Sequence, residues 1–245
     1  MAESIRTRLE WLYHSIRPIP SRRRFDYDRR LLVNPYLAEQ EEGCHDLRSA
    51  VARTGLSLGY PSWNLLYYTL LSSLPPSDPV VVETGTNRGF STIVLAQALV
   101  DSRAGGVVRT VDLDPEVVEL ARRHAEQAGV AGRIRFHVGD SRDYLARLAG
   151  EVDHVDFAFL DGDHRAEAVV AEFERLRPLV MACDGKVFFD NTSSGGVARA
   201  LRRIHASHGG NLIEFSNCSW APPGNAIWQL QPQGAGAPAR QGPRR

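Results

Sequence analysis

The chain has 245 residues, 43% of them hydrophobic and 24% charged, a composition that excludes a disordered or fibrous protein. Basic and acidic residues number 29 each, so the zero net charge gives no support to nucleic acid or an anionic membrane as the partner. No apolar stretch reaches the roughly eighteen residues of a membrane helix, and no signal-peptide core is found. Three cysteines without paired spacing, Cys44, Cys183 and Cys218, fit a reducing compartment, so we expect a cytoplasmic protein.

The N-terminal segment differs from the remainder of the chain in its charge. Residues 1–30 contain 8 arginines against 4 acidic residues, and prolines and glycines interrupt residues 1–60. We predict a basic arm and helical cap over residues 1–60, an α/β domain over 61–232 and a disordered tail over 233–245.

The elements predicted from residue 63 onward alternate. A helix over 63–74 is followed by short apolar runs that read as strands, at 80–83, 107–112, 133–138, 155–160 and 186–189. Helical patterns separate or follow them, near 90–100, 115–128, 141–149, 165–180 and 195–208. Such alternation predicts a doubly wound, mostly parallel α/β sheet. Two last strands, at 211–216 and 226–231, are joined too closely for a parallel crossover, so we expect seven strands with an antiparallel last one.

A glycine-rich turn follows the first strand, with the sequence Glu83-Thr84-Gly85-Thr86-Asn87-Arg88-Gly89-Phe90-Ser91. Open α/β sheets bind ligands at the carboxyl ends of their strands, where glycine permits close approach of the backbone. The spacing is not the G-x-G-x-x-G of dinucleotide sites, which argues against a nicotinamide-linked oxidoreductase. A tight turn without a ligand is the alternative.

The next two strands also end in polar residues. Asp112 follows the second strand, where a carboxylate can accept both hydroxyls of a ribose, whereas Asp114 is expected to cap the next helix. Gly139-Asp140-Ser141 follows the third strand and can bond the edge of an adenine, or can serve as a helix N-cap. The pattern therefore indicates a nucleoside site.

This order of motifs resembles the class I, Rossmann-like S-adenosylmethionine-dependent methyltransferases over about residues 78–231. The resemblance implies that residues 61–232 bind S-adenosylmethionine, with the methionine part held at Glu83, Gly85 and Ser91. It places the ribose at Asp112 and the adenine at Asp140 and Ser141. The full implied cofactor set is Glu83, Gly85, Thr86, Asn87, Gly89, Ser91, Asp112, Asp140, Ser141 and Asp161.

Oxygen ligands follow the fourth and fifth strands, in Asp161-Gly162-Asp163-His164 and Asp190-Asn191. Hard oxygen donors at one rim suit Mg²⁺. The pattern is similar to that of catechol-type and macrolide-sugar O-methyltransferases, which implies Asp161, Asp190 and Asn191 as metal ligands. Rim acids without a metal, and a turn that caps the following helix, are the alternatives.

Two side chains in this cluster are candidate catalytic bases. His164 has an imidazole that can take a hydroxyl proton near neutral pH, and Asp163 is its rival. The sugar O-methyltransferases that the chain resembles carry an acid where Asp163 stands, and the catechol type carries a basic residue where His164 stands.

The sequence thus predicts a magnesium-assisted O-methyltransferase for a small hydroxylated acceptor, a sugar or a phenolic compound. A metal-independent methyltransferase and a non-catalytic nucleoside-binding protein stay open as alternatives. Aromatic residues are expected either to line the acceptor pocket or to pack against the sheet: Tyr60, Trp63, Tyr67, Tyr68 and Trp220. Neither nucleic acid nor a membrane is expected as a partner, and a homodimer is the favoured assembly.

Overall fold

The structure is a computed structural model that describes residues 33–42, 44, 47–55, 57, 62–215 and 225–229. Its helices, in chain order, are α1 Pro35–Glu42, α2 Leu47–Thr54, α3 Ser62–Leu71, α4 Phe90–Ser102, α5 Pro115–Gln127, α6 Ser141–Leu148, α7 Ala166–Met181 and α8 Gly195–His208. Its strands are β1 Val80–Thr84, β2 Val107–Asp112, β3 Ile134–Val138, β4 Phe157–Leu160, β5 Lys186–Asp190, β6 Asn211–Phe215 and β7 Asn225–Gln229.

The strands form one 7-stranded sheet in the order β3-β2-β1-β4-β5-β7-β6. Strands β1 to β5 pair in parallel, whereas β7 pairs antiparallel with both β5 and β6. The predicted fold is confirmed, including the antiparallel strand pair at the end. The direction of the chain along the sheet reverses beside β1, which leaves a crevice at the carboxyl ends of the strands.

Hydrophobic clusters cover both faces of the sheet, which explains why the inner strands are nearly continuous apolar runs. On one face α3 and α4 pack against the sheet, with the ring of Trp63 stacked on Phe90 at a centroid distance of 6.4 Å. On the other face α6, α7 and α8 pack around Phe173, which meets Trp228 edge to face at 4.8 Å. The rigid strands fix the positions of the loops at their ends.

Polar caps set the starts of two helices that follow the strand ends. Asp114 accepts hydrogen bonds from the backbone amides of Glu116 and Val117 at 2.9 and 3.4 Å, so its predicted capping role is confirmed. Ser194 caps α8 through the amide of Val197 at 3.4 Å. Each cap fixes where its loop ends and its helix begins.

Several predictions concern residues outside the described part of the chain. These are the basic arm before residue 33, the pocket candidates Tyr60 and Trp220, Cys218 and the tail over 233–245. The boundaries proposed for the three regions stay predictions. Across the residues that the structure describes, no helix has both the length and the hydropathy needed to cross a membrane.

Candidate active site

The glycine turn after β1 brings two strand ends into contact. Gly85 has φ of 85°, and a Cβ at this position would lie 2.4 Å from the carbonyl oxygen of Asp161. Its amide donates to the carbonyl of Val111 at 3.0 Å. Only glycine therefore lets the turn lie against the loop that follows β4.

Asn87 connects the turn to the next strand and to the N-terminal cap. Its amide donates to Oδ2 of Asp112 at 2.8 Å, and its side chain Nδ2 donates to the carbonyl of Gly55 at 2.9 Å. The neighbouring Arg88 donates to the carbonyl of Ala52 at 2.7 Å. The cap thus borders the turn, and Asn87 lines the cavity described below.

Asp112 is held at the end of β2 by two backbone amides. Oδ2 accepts from Asn87, and Oδ1 accepts from the amide of Asp114 at 3.2 Å. Each carboxylate oxygen keeps another lone pair, so the group is oriented and can still accept ligand hydroxyls.

Glu83 lies behind the turn in a cage of hydroxyl groups and has no solvent exposure. Thr92 donates to its carboxylate through a short hydrogen bond. Burial raises the pKa of Glu83 to about 7, against the lowering effect of hydrogen bonds from Ser91, Thr110 and Thr92. Glu83 therefore anchors α4 to β1 at the back of the turn.

Four polar side chains converge at the ends of β4 and β5. Asn191 Nδ2 lies 3.1 Å from Asp161 Oδ1 and 3.0 Å from Asp190 Oδ2, so one amide donor bridges both carboxylates. His164 Nε2 lies 3.3 Å from Asp161 Oδ1 and 3.5 Å from Asn191 Nδ2. The sequence-predicted acids of the two strand ends thus meet in one cluster.

The electrostatics of this cluster follow from burial and pairing. Burial raises the pKa of Asp161, and the hydrogen bond from His164 acts in the opposite direction. The same hydrogen bond raises the pKa of His164. Asn191 has φ of 55°, a conformation that non-glycine residues rarely adopt and that is often found at functional sites.

The first turn of α8 positions the loop that carries His164. A Cβ at Gly196 would lie 2.0 Å from the carbonyl oxygen of His164, so glycine is needed for this contact. The imidazole stays accessible, since its side chain is 44% exposed. The backbone of the loop is fixed while the ring can reach a ligand.

Asp163, the rival base, is paired with the arginine two residues later. The Arg165 guanidinium bonds both oxygens of Asp163, with Nε at 3.0 and 2.8 Å. Hydrogen bonds from Arg165 lower the pKa of Asp163. A carboxylate held in this way is a weak proton acceptor, which favours His164.

The end of β3 adopts the capping arrangement that the sequence left open. Asp140 accepts from the amide of Arg142 at 2.8 Å and pairs with its guanidinium, which lowers the pKa of Asp140 to about 2. Ser141 Oγ lies 2.5 Å from Oε1 of Glu172. Asp140 is thus an N-cap with its charge paired, and Ser141 faces α7.

Glu172 is a site residue that the sequence analysis missed. It is 1% exposed yet borders the cavity, and its Oε2 accepts from Thr84 Oγ1 at 3.0 Å. Burial raises its pKa. The sequence does contain a signal for Glu172. This acidic residue lies in the buried stripe of α7 that Val169, Phe173 and Leu176 also form.

A cavity of about 750 Å³ joins these parts. Ten of the predicted site residues line it: Gly85, Asn87, Asp112, Asp140, Ser141, Asp161, Asp163, His164, Asp190 and Asn191. Lining residues that were not predicted include Gly55, Arg142, Arg165 and Glu172. Four predicted cofactor residues, Glu83, Thr86, Gly89 and Ser91, do not line this cavity, and the first two are fully buried.

The aromatic candidates on α3 pack within the fold. Trp63 is fully buried, and Tyr67 donates a hydrogen bond to Asp101 at 2.6 Å. Tyr68 is 60% exposed. The helix-to-sheet packing interpretation therefore holds for Trp63 and Tyr67, and neither these two nor Tyr68 lines the cavity.

Comparison of the sequence with known families matches residues 82–192 to a family described as a methyltransferase domain. A catechol O-methyltransferase of Mycobacterium tuberculosis is 41% identical over 83 residues, which is 34% of this chain and 36% of that relative. A catechol O-methyltransferase of Niastella koreensis is 29% identical over 140 residues, 54% of this chain and 62% of that relative. The chain thus matches only about a third to three fifths of the length of these relatives.

Solved structures share the fold at low sequence identity. The O-methyltransferase of Bacillus cereus in complex with SAH has a TM-score of 0.62 and 19% identity, covering 86% of this chain and 94% of that one. TomG of Streptomyces achromogenes, an O-methyltransferase involved in tomaymycin synthesis and solved with SAM, has a TM-score of 0.60 and 19% identity, covering 95% of this chain and 100% of that one.

Proposed function

We propose that this chain, whose residues 82–192 match a family described as a methyltransferase domain, transfers the methyl group of S-adenosylmethionine to a hydroxyl group of a small molecule. One observation gives this proposal its main support. A single cavity connects the oriented carboxylate of Asp112, at the end of β2, with the cluster around Asp161 and His164, at the end of β4.

We infer one direction for the cofactor in the cavity from the positions of the strand ends. The ribose hydroxyls would bond Asp112, whose oxygens are already held by two backbone amides. The adenine would lie toward Gly139 and Ser141, because the Gly139 amide donates to the carbonyl of Asp112 at 2.8 Å and the two strand ends adjoin. The methionine part would then follow Gly85 toward Asp161.

The residues at the far end of the cavity would hold the acceptor. A sulfonium methyl group is already activated, so the protein must align the acceptor oxygen and accept its proton. We assign the base to His164, because its ring is accessible and the pKa of Asp163 is lowered by Arg165. Because Nε2 donates to Asp161, His164 would take the proton on Nδ1, its other ring nitrogen.

The donor set also fits a magnesium ion. Asp161 Oδ1 and Asp190 Oδ2 lie 3.1 and 3.0 Å from Asn191 Nδ2. An Asn191 amide rotated by half a turn would offer its oxygen at this position instead. Asp161, Asp190 and Asn191 would hold the ion. The described residues contain no group of three or more His, Cys, Asp or Glu side chains suited to a metal, and we therefore take the Asn191 amide as the third ligand. A bound ion would polarise the acceptor hydroxyl and make its proton easier to remove.

The test is a methyl-transfer screen with labelled S-adenosylmethionine and a panel of hydroxylated sugars, catechols and other phenolics, with and without EDTA. We expect transfer to an acceptor with two neighbouring oxygens, and loss of transfer in EDTA that added Mg²⁺ restores. Transfer that persists in EDTA would support the metal-independent alternative. Binding of the cofactor without transfer to any acceptor would favour a nucleoside-binding protein.

A further inference from the structure

We propose that Glu172 sets the direction of the Ser141 hydroxyl group. The pocket would thereby select a nucleoside whose base carries an amino group, as adenine does, over one whose base carries a carbonyl group there, as hypoxanthine does. This inference rests on the proposed function, because it takes the ligand to be an adenosine derivative. Glu172 acts through Ser141 and is a positioning residue.

The contacts of Glu172 determine its role. An ionised carboxylate is an acceptor only, and Glu172 accepts from Ser141 Oγ on one oxygen at 2.5 Å and from Thr84 Oγ1 on the other at 3.0 Å. Its charged neighbours include the acids Asp163 and Asp140 and also His164, whose pKa Glu172 raises. The hydrogen bonds to the carboxylate described here come from the two hydroxyl groups.

The consequence for Ser141 follows from the number of its protons. A hydroxyl group has one hydrogen, and Ser141 gives it to Glu172, so the side chain presents only lone pairs to the cavity that it lines. The amino group of adenine can donate to these lone pairs. The carbonyl oxygen of hypoxanthine cannot, and it would face another acceptor at this point.

The space around Glu172 is consistent with a role toward a ligand. A Cβ at Gly162 would lie 3.5 Å from Glu172 Oε1 and 3.5 Å from Thr84 Oγ1, so the carboxylate lies directly below the loop after β4. Glu172 thus borders the cavity although it is 1% exposed. Its side chain is fixed by the two hydroxyl groups and by the packing of α7.

The experiment compares the dissociation constants of S-adenosylhomocysteine and S-inosylhomocysteine by calorimetry in four proteins. Wild type is expected to prefer the adenine ligand by about tenfold or more, the scale of one correctly paired hydrogen bond against an unpaired one. In Glu172→Gln the side-chain amide can donate a hydrogen bond to Ser141 Oγ, which frees the hydroxyl proton of Ser141 to bond the ligand. The ratio of the two dissociation constants should therefore fall by roughly tenfold. The control Glu167→Gln, on an exposed residue of the same helix, should keep the wild-type ratio.

Ser141→Ala provides the second variant, because it removes the hydroxyl group and should abolish the preference while Glu172 is intact. If Glu172→Gln does not fold, as judged by thermal unfolding, the ratio in Ser141→Ala decides. A ratio of dissociation constants near one in wild type overturns the inference. A variant that keeps the wild-type ratio overturns it too, even when its affinity for both ligands falls. Wild-type protein that binds neither ligand overturns the proposed function instead.

Discussion

At the scale of single residues, the two candidate bases differ in how they are held. Arg165 pairs with both oxygens of Asp163, whereas His164 makes one hydrogen bond to Asp161 and keeps an accessible ring. We expect His164→Ala to lower kcat by on the order of 10²–10⁴ with little change in cofactor affinity. Asp163→Asn should lower kcat only slightly.

Steady-state kinetics across pH checks this assignment. The acidic limb of the kcat profile should vanish in His164→Ala and stay in Asp163→Asn. A large loss confined to Asp163→Asn would make Asp163 the base. Near-wild-type turnover in both variants would argue against a protein base at this loop.

Glu83 gives a prediction about stability and pH. Its pKa is raised from 4.5 to about 7 by burial, so the folded state disfavours the ionised form. The stability of wild type should therefore fall, relative to Glu83→Gln, as the pH rises from 4.5 to about 7, by about 3 kcal/mol in all. Urea unfolding of both proteins at several pH values measures the difference. A difference that does not change with pH would contradict the assignment.

At the scale of elements, the glycine turn decides how closely β1 and β4 can end beside each other. Gly85→Ala should reduce stability by about 1–3 kcal/mol through its positive φ and should weaken cofactor binding, because the new Cβ displaces the loop at Asp161. Gly132→Ala is the matched control. That glycine has no strained φ and nothing within 4 Å of an added Cβ, so stability should change by less than roughly 0.5 kcal/mol.

Denaturant unfolding and cofactor titration of the two glycine variants measure both effects. The two variants should differ in both measurements. Wild-type cofactor affinity in Gly85→Ala would mean that the contact between the turn and Asp161 does not shape the site.

At the scale of the whole molecule, the alternation of strands and helices made the fold predictable, because each apolar run is bounded by turn residues. The site was predictable where residues follow strand ends, as at Asp112, Asp161 and Asp190. Contacts that depend on how the helices pack were not predictable from the sequence. The burial of Glu83 and the contact of Glu172 with Ser141 arise from helix packing over 9 and 31 residues of sequence.

One local sequence pattern concerns the two acids that pair with arginine. Asp140 and Asp163 each stand two residues before an arginine, and in both cases the backbone amide and the guanidinium of that arginine bind the carboxylate. The repeated D-x-R spacing indicated that both acids are paired with a cation. It would have favoured His164 over Asp163 from the sequence.

Calorimetric titration of wild type and Asp112→Ala with S-adenosylhomocysteine tests most directly whether this cavity binds S-adenosylmethionine through Asp112. Loss of the ribose acceptor should weaken binding by about 1.5–3 kcal/mol, while Glu116→Gln, on an exposed residue of the next helix, should bind as wild type does. Equal affinity of wild type and Asp112→Ala, or no binding to wild type, would contradict the account.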